Sequence, residues 1–137
     1  MSDFTAKHVD DMETGFGGGF VLARASLGVT SFGLQVIKLP PGFEGLPEHS
    51  HRGMTGERAA MANDDQEEVY VGLNGKAYLR LGDDGEVELT EGTMVRCGPE
   101  QTRHLITRGE SATVLAIGGM PGKPYTPPAF TELSGGA

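Results

Sequence analysis

A single cysteine, Cys97, excludes an intrachain disulfide. No apolar run approaches the length needed to span a bilayer, and Met1–Asp10 lacks the apolar segment of a secretory signal, so a reducing, cytoplasmic setting is expected. Basic residues are scarce: 11 Lys and Arg stand against 19 Asp and Glu, for a net charge of −8. Such a surface repels a phosphate backbone and an anionic lipid face, so neither nucleic acid nor membrane is an expected partner. No internal repeat of solenoid length is present. The glycine cluster Gly15–Phe20 lacks the spacing of a dinucleotide fingerprint, and no helical pattern follows it to supply amide donors. It reads as a flexible turn before a strand.

Glycine and proline are plentiful, at 22 and 8 residues, which favours turns and short strands over long helices. The length suits one domain. Residues 1–15 form a polar arm, 16–118 the folded β-domain, and 119–137 a tail rich in Pro and Gly without periodicity. Phe20–Leu27 and Ser31–Leu39 read as strands, the second with Phe32, Leu34 and Val36 on one face. Residues 53–66 are polar and irregular, with a brief helix at Glu57–Met61. From Glu68 onward short strands alternate with turn signals. Asn74-Gly75 is read as a hairpin between Glu68–Leu73 and Lys76–Leu81. Turns at Asp83–Gly85, Glu91-Gly92 and Gly109-Glu110 separate strands at Glu86–Thr90, Thr93–Cys97, Arg103–Thr107 and Ala112–Ile117. This rhythm predicts an all-β fold, an antiparallel sandwich or barrel.

Three of the four histidines stand out. His49 and His51 are two apart, so in a strand their imidazoles share one face and can converge on one ion. Glu68 and His104 would have to join them from neighbouring strands.

These residues resemble a known family. Gly42, His49-Ser50-His51, Glu68 and Gly75 follow the order of the first motif of the cupins, and Gly92, Pro99 and His104 that of the second. The resemblance covers roughly residues 32–118 and implies a single jelly-roll β-barrel of antiparallel strands. It implies four metal ligands: His49, His51, Glu68 and His104. Three imidazoles and a carboxylate suit one divalent transition metal, with Fe2+ favoured and Mn2+, Ni2+, Zn2+ or Cu2+ as alternatives. Two open positions on such a metal would serve a substrate or O2. The expected function is a metal-dependent enzyme acting on a small molecule inside the barrel, a dioxygenase first and an isomerase or epimerase next. The rival is a non-catalytic binding or sensing protein. A homodimer is expected, paired through Phe20–Leu27 or the Pro-rich tail.

The chain departs from the family pattern in places. Residues 52–67 separate His51 from Glu68, a longer gap than the family's usual few residues, and read as a lid beside the barrel mouth or a tolerated excursion. Pro99 stands one residue further from Gly92 than the pattern has it. Tyr70 shares a face with Glu68 and is the candidate catalytic hydroxyl. Ile106, two after His104, is expected in the cavity wall. Gln35, Arg96 and Arg103 are expected at the surface, although either arginine could hold a carboxylate substrate bidentately. Cys97 is expected to be a small buried hydrophobe.

Overall fold

The computed structural model describes residues 2–134. Seven strands make one antiparallel sheet: β1 (Thr14–Gly15), β2 (Phe20–Val21), β3 (Gly33–Leu39), β4 (Glu67–Arg80), β5 (Glu86–Leu89), β6 (Met94–Cys97) and β7 (His104–Gly119). They are hydrogen-bonded in the order β1-β2-β3-β7-β4-β5, with β6 beside β4. The all-β, antiparallel architecture is the expected one, but the hydrogen-bonded path is open and does not close on itself among the described residues. No described helix is long and apolar enough to cross a membrane.

Two of the expected turns are not turns. β4 continues through Asn74-Gly75, and β7 continues through Gly109-Glu110. The conformational tolerance of Asn-Gly is used for a bend rather than a reversal. The register against β7 shifts between Gly72 and Asn74 and again between Gly75 and Ala77. Gly75 has φ +67, and a Cβ there would stand 2.0 Å from the Ser111 carbonyl oxygen. Before the bend β4 pairs with β6, and after it with β5. The long β4–β7 ribbon thus contributes to both parts of the sheet.

Their inner faces share one core. Ile37, Leu39, Tyr70, Val114 and Ala116 from one part meet Ala77, Leu79, Leu89 and Leu105 from the other. Leu79 and Val114 are wholly buried, each worth about 1.5–3 kcal/mol of apolar burial. In β3 the core face is that of Gln35, Ile37 and Leu39, opposite to the expected one. Val36 is buried outside that core, and the helix α1 (Ala23–Leu27) packs near β3.

That helix corrects the expected strand at Phe20–Leu27, of which only Phe20–Val21 is extended. The segment Ala-Arg-Ala-Ser-Leu has high helical preference, and Gly28 at φ 79 closes it with a left-handed cap. The expected brief helix in the long insertion is present as a 3-10 turn at Gly56–Arg58 running into α2 (Ala59–Ala62).

After Gly119 the chain returns across the N-terminal segment. Ser134 donates through its backbone N–H and its hydroxyl to the Glu13 carboxylate, at 2.7 and 2.9 Å. Phe130 packs edge-on against Phe16, with ring centres 6.0 Å apart.

Candidate metal centre and cavity

His49, Ser50 and His51 are not in a regular strand. They are pinned to the segment before β7 by backbone bonds: His49 and Arg103 exchange N–H and C=O at 3.0 and 2.8 Å, and His51 N–H donates to Pro99 O at 2.8 Å. This antiparallel contact brings the two histidine-bearing motifs together. It also fixes which residue faces inward. Directly paired residues project to the same side, so Arg103 lies beside His49 and the next residue, His104, turns away.

The structure therefore gathers three of the four expected ligands and leaves one out. The donor atoms of His49, His51 and Glu68 all lie within 4.8 Å of one another. His104 is not among them: it pairs with Arg80, and its Nε2 lies 3.2 Å from the Glu44 carbonyl oxygen. The alternation that expels His104 also corrects Ile106, which is buried on the outer face while Leu105 lines the cavity. A shift of one residue exchanges every inward and outward side chain.

Arg103 takes the inward place and is 1% exposed, not at the surface as expected. It donates to the carbonyl oxygens of Gln101 (2.6 Å) and Gly98 (3.4 Å), and its Nη2 is 3.3 Å from Glu68 Oε1. Glu68 Oε1 also accepts from Tyr70 Oη at 2.9 Å and faces His51 Nε2 at 2.9 Å. All three contacts fall on Oε1, and Oε2 receives no hydrogen bond among the described residues. Arg96 does lie at the surface, paired with Glu67.

Asp64, from the long insertion, is the site residue that sequence reasoning missed. Its Oδ1 lies 2.6 Å from His51 Nδ1, and its Oδ2 accepts from Gln66 at 2.6 Å. The acidic pair Asp64-Asp65 was the only local signal, and nothing in its spacing distinguishes it from a solvated loop. Gln35, expected at the surface, is half-buried and lines the cavity.

The electrostatics follow from these contacts. Burial alone would lower the pKa of His51, but the bonds to Asp64 and Glu68 outweigh it and raise the value to about 9. Burial likewise opposes ionisation of Glu68, yet His51 and Arg103 hold its carboxyl below the ordinary range. His49 is shifted down, mainly by burial. Burial and the neighbouring Glu68 charge push the Tyr70 hydroxyl well above its usual value, so it stays protonated and donates. Burial also raises the Cys97 thiol, which behaves as the small hydrophobe expected.

The donor set fits a divalent metal. His49 Nδ1 lies 3.1 Å from the Pro47 carbonyl oxygen, which requires the proton on Nδ1 and leaves Nε2 as the donor. The Nδ1 of His51 is held by a carboxylate, the arrangement that orients metal-binding imidazoles. Two imidazoles and one carboxylate is the donor set of open-sided iron(II) sites.

The cluster forms part of the wall of a cavity of about 360 Å3. The walls are mostly apolar, with Phe20, Ile37, Phe43, Leu46 and Leu105 prominent. Tyr125 and Phe130 of the tail and Met61 and Ala62 of the insertion complete them.

No family model and no curated protein matches the chain. Solved structures do. A cupin protein from Bacteroides fragilis is 25% identical, with a TM-score of 0.66, over 92% of this chain and 93% of that one. A sugar phosphate isomerase of the cupin superfamily from Silicibacter pomeroyi is 21% identical, TM-score 0.60, over 79% of this chain and 59% of that one. The cupin-2 domain of an XRE-family transcriptional regulator from Enterobacter cloacae is 16% identical, TM-score 0.51, over 69% and 86%.

Proposed function

We propose that this chain, a small cupin-superfamily protein, is a metalloenzyme that transforms a small, largely apolar organic molecule in its cavity, with a divalent metal on His49, His51 and Glu68. The observation that carries this reading is the convergence of those three donors in the lining of a mostly apolar cavity. Such a metal, iron(II) by preference for this donor set, supplies Lewis acidity and reactivity toward O2, which makes oxygenation the favoured reaction class.

The surrounding residues have separate tasks. Asp64 fixes the ring of His51, and Pro47 O fixes that of His49. Arg103 and Tyr70 hold Glu68 Oε1, which leaves the carboxylate fixed in place to hold an ion together with His49 and His51. The Tyr70 hydroxyl, kept protonated and 2.9 Å from Glu68 Oε1, is the candidate donor to a substrate oxygen, for which it would give up its bond to Oε1. The apolar walls orient the substrate and exclude water. They match poorly the polar body of a sugar phosphate, the substrate class named for the Silicibacter protein, so isomerisation of such a compound is the weaker reading.

A second reading is supported by one observation. Asp64, His51, Glu68, Arg103 and Tyr70 are joined to one another by hydrogen bonds and ion pairs, as a metal-free binding cup would require, while Oε2 of Glu68 and Nε of Arg103 keep no partner among the described residues. Elemental analysis of tag-free protein, before and after reconstitution with Fe(II), separates the two. Near-stoichiometric metal that is lost in His49→Ala supports the metalloenzyme and leads to oxygen-consumption screens. No metal under either condition overturns it in favour of the cup.

A further inference from the structure

The insertion of residues 52–67 does more than connect His51 to Glu68. It supplies Asp64 to His51, and it contributes Arg58, Met61 and Ala62 to the cavity lining. Charge on that lining is sorted against the composition of the chain. Acidic residues outnumber basic ones by 19 to 11 overall, yet the lining holds Arg24, Arg58 and Arg103 against one carboxylate, Glu68.

Two of these cations are already neutralised. Arg103 Nη2 is 3.3 Å from Glu68 Oε1, and Arg24 Nη2 is 3.1 Å from Glu132 Oε1. Arg58 has no carboxylate partner among the described residues. Its Nη1 donates to the carbonyl oxygen of Glu48, the residue before His49, and both Arg58 and His49 line the cavity. Its Nε and Nη2 donate to no protein acceptor among the described residues, and the side chain is exposed. A guanidinium fixed at one nitrogen presents a ready fork for a planar anion.

We propose that Arg58 is a specificity-determining residue and that the ligand of the cavity is a small organic acid, its body against the apolar walls and its carboxylate on Arg58. On a chain with a net charge of −8, an anionic ligand is repelled unless a local cation offsets the field, and Arg58, which has no carboxylate partner among the described residues, is the lining cation that can do so. The inference rests on the cavity being a small-molecule site, as proposed above, but not on the metal.

The test uses the full chain stripped of metal. Isothermal titration compares 4-phenylbutyrate, cinnamate and octanoate with their primary amides, for the wild type, Arg58→Gln and Arg58→Lys. The expected result is that at least one acid binds ~10-fold or more tighter than its amide, that Arg58→Gln erases the difference, and that Arg58→Lys keeps part of it. Amide affinity and Zn(II) affinity should be unchanged in Arg58→Gln. The proposal is overturned if no acid is preferred to its amide, absence of all binding included, or if the preference survives in Arg58→Gln. It is equally overturned if that variant weakens acid and amide together. The Zn(II) titration of the wild type reads the metal site by itself, so failure there leaves the carboxylate result standing.

Discussion

Oδ1 of Asp64 lies 2.6 Å from Nδ1 of His51, across the loop that the insertion forms. The contact ties the loop to the ligand set and aims the imidazole. Asp64→Asn should keep all three donors and yet lower metal affinity about 10–100-fold, the usual effect of removing a carboxylate behind a ligating histidine. Competition with a chromophoric chelator measures it. Unchanged affinity would mean that the ring is held by other contacts.

The division between His104 and the other histidines gives a contrast within one experiment. His49→Ala and Glu68→Gln should abolish stoichiometric metal, whereas His104→Ala should retain it, because His104 faces the Glu44 carbonyl rather than the cluster. Elemental analysis of the three variants after identical reconstitution is the check. Loss of metal in His104→Ala would restore the four-ligand set that the family resemblance implies.

Without metal, His51 carries a pKa of about 9, above its ordinary 6.5. A group whose pKa rises on folding contributes stability that is fully present below the unfolded value and is lost as pH rises through the folded one. Metal-stripped protein should therefore lose stability between about pH 6.5 and pH 9. The carboxylates of Asp64 and Glu68, both held below their ordinary range, stay charged across that window, so the imidazole dominates the slope until the Cys97 thiol, raised by burial, adds to it at the alkaline end. Urea unfolding at a series of pH values reads it, and His51→Gln should flatten the curve.

Gly75→Ala is expected to destabilise by about 3 kcal/mol or more, because it combines a positive φ with a clash against backbone. The added Cβ would stand 2.0 Å from the Ser111 carbonyl oxygen, which cannot move without breaking the β4–β7 ladder. Chemical denaturation measures the loss. Gly109→Ala, where an added Cβ meets nothing within 4 Å, is the matched control.

The antiparallel all-β class was legible in the sequence because period-two patterning and turn residues are local properties. What was not legible depends on pairing. Asn74-Gly75 allows a reversal and a bend equally, and only the long partner strand β7 decides for the bend. Glu68 and Tyr70 share a face as the alternation predicts, because both lie on one regular strand. That His104 lies apart from the other three was not legible, because inward and outward alternate and the His49–Arg103 bridge that sets the phase joins residues far apart in sequence. Asp64 lies in an irregular stretch and Arg58 in a 3-10 turn of three residues, both too short of regular structure for a period to say which side chains turn inward.

The pairing of β3 with β7 places Gly33 opposite Gly118, 85 positions apart (118 minus 33). A chain that must close a loop of that size before its central ladder forms folds late and slowly compared with one built from neighbouring hairpins. His49, His51 and Glu68 all lie inside that loop, yet the cavity at which they converge takes walls from β3 and β7, on both sides of the closure. An ion on those three donors would therefore act after the chain has chosen its topology. It would lock the finished fold against reopening rather than guide the chain toward it.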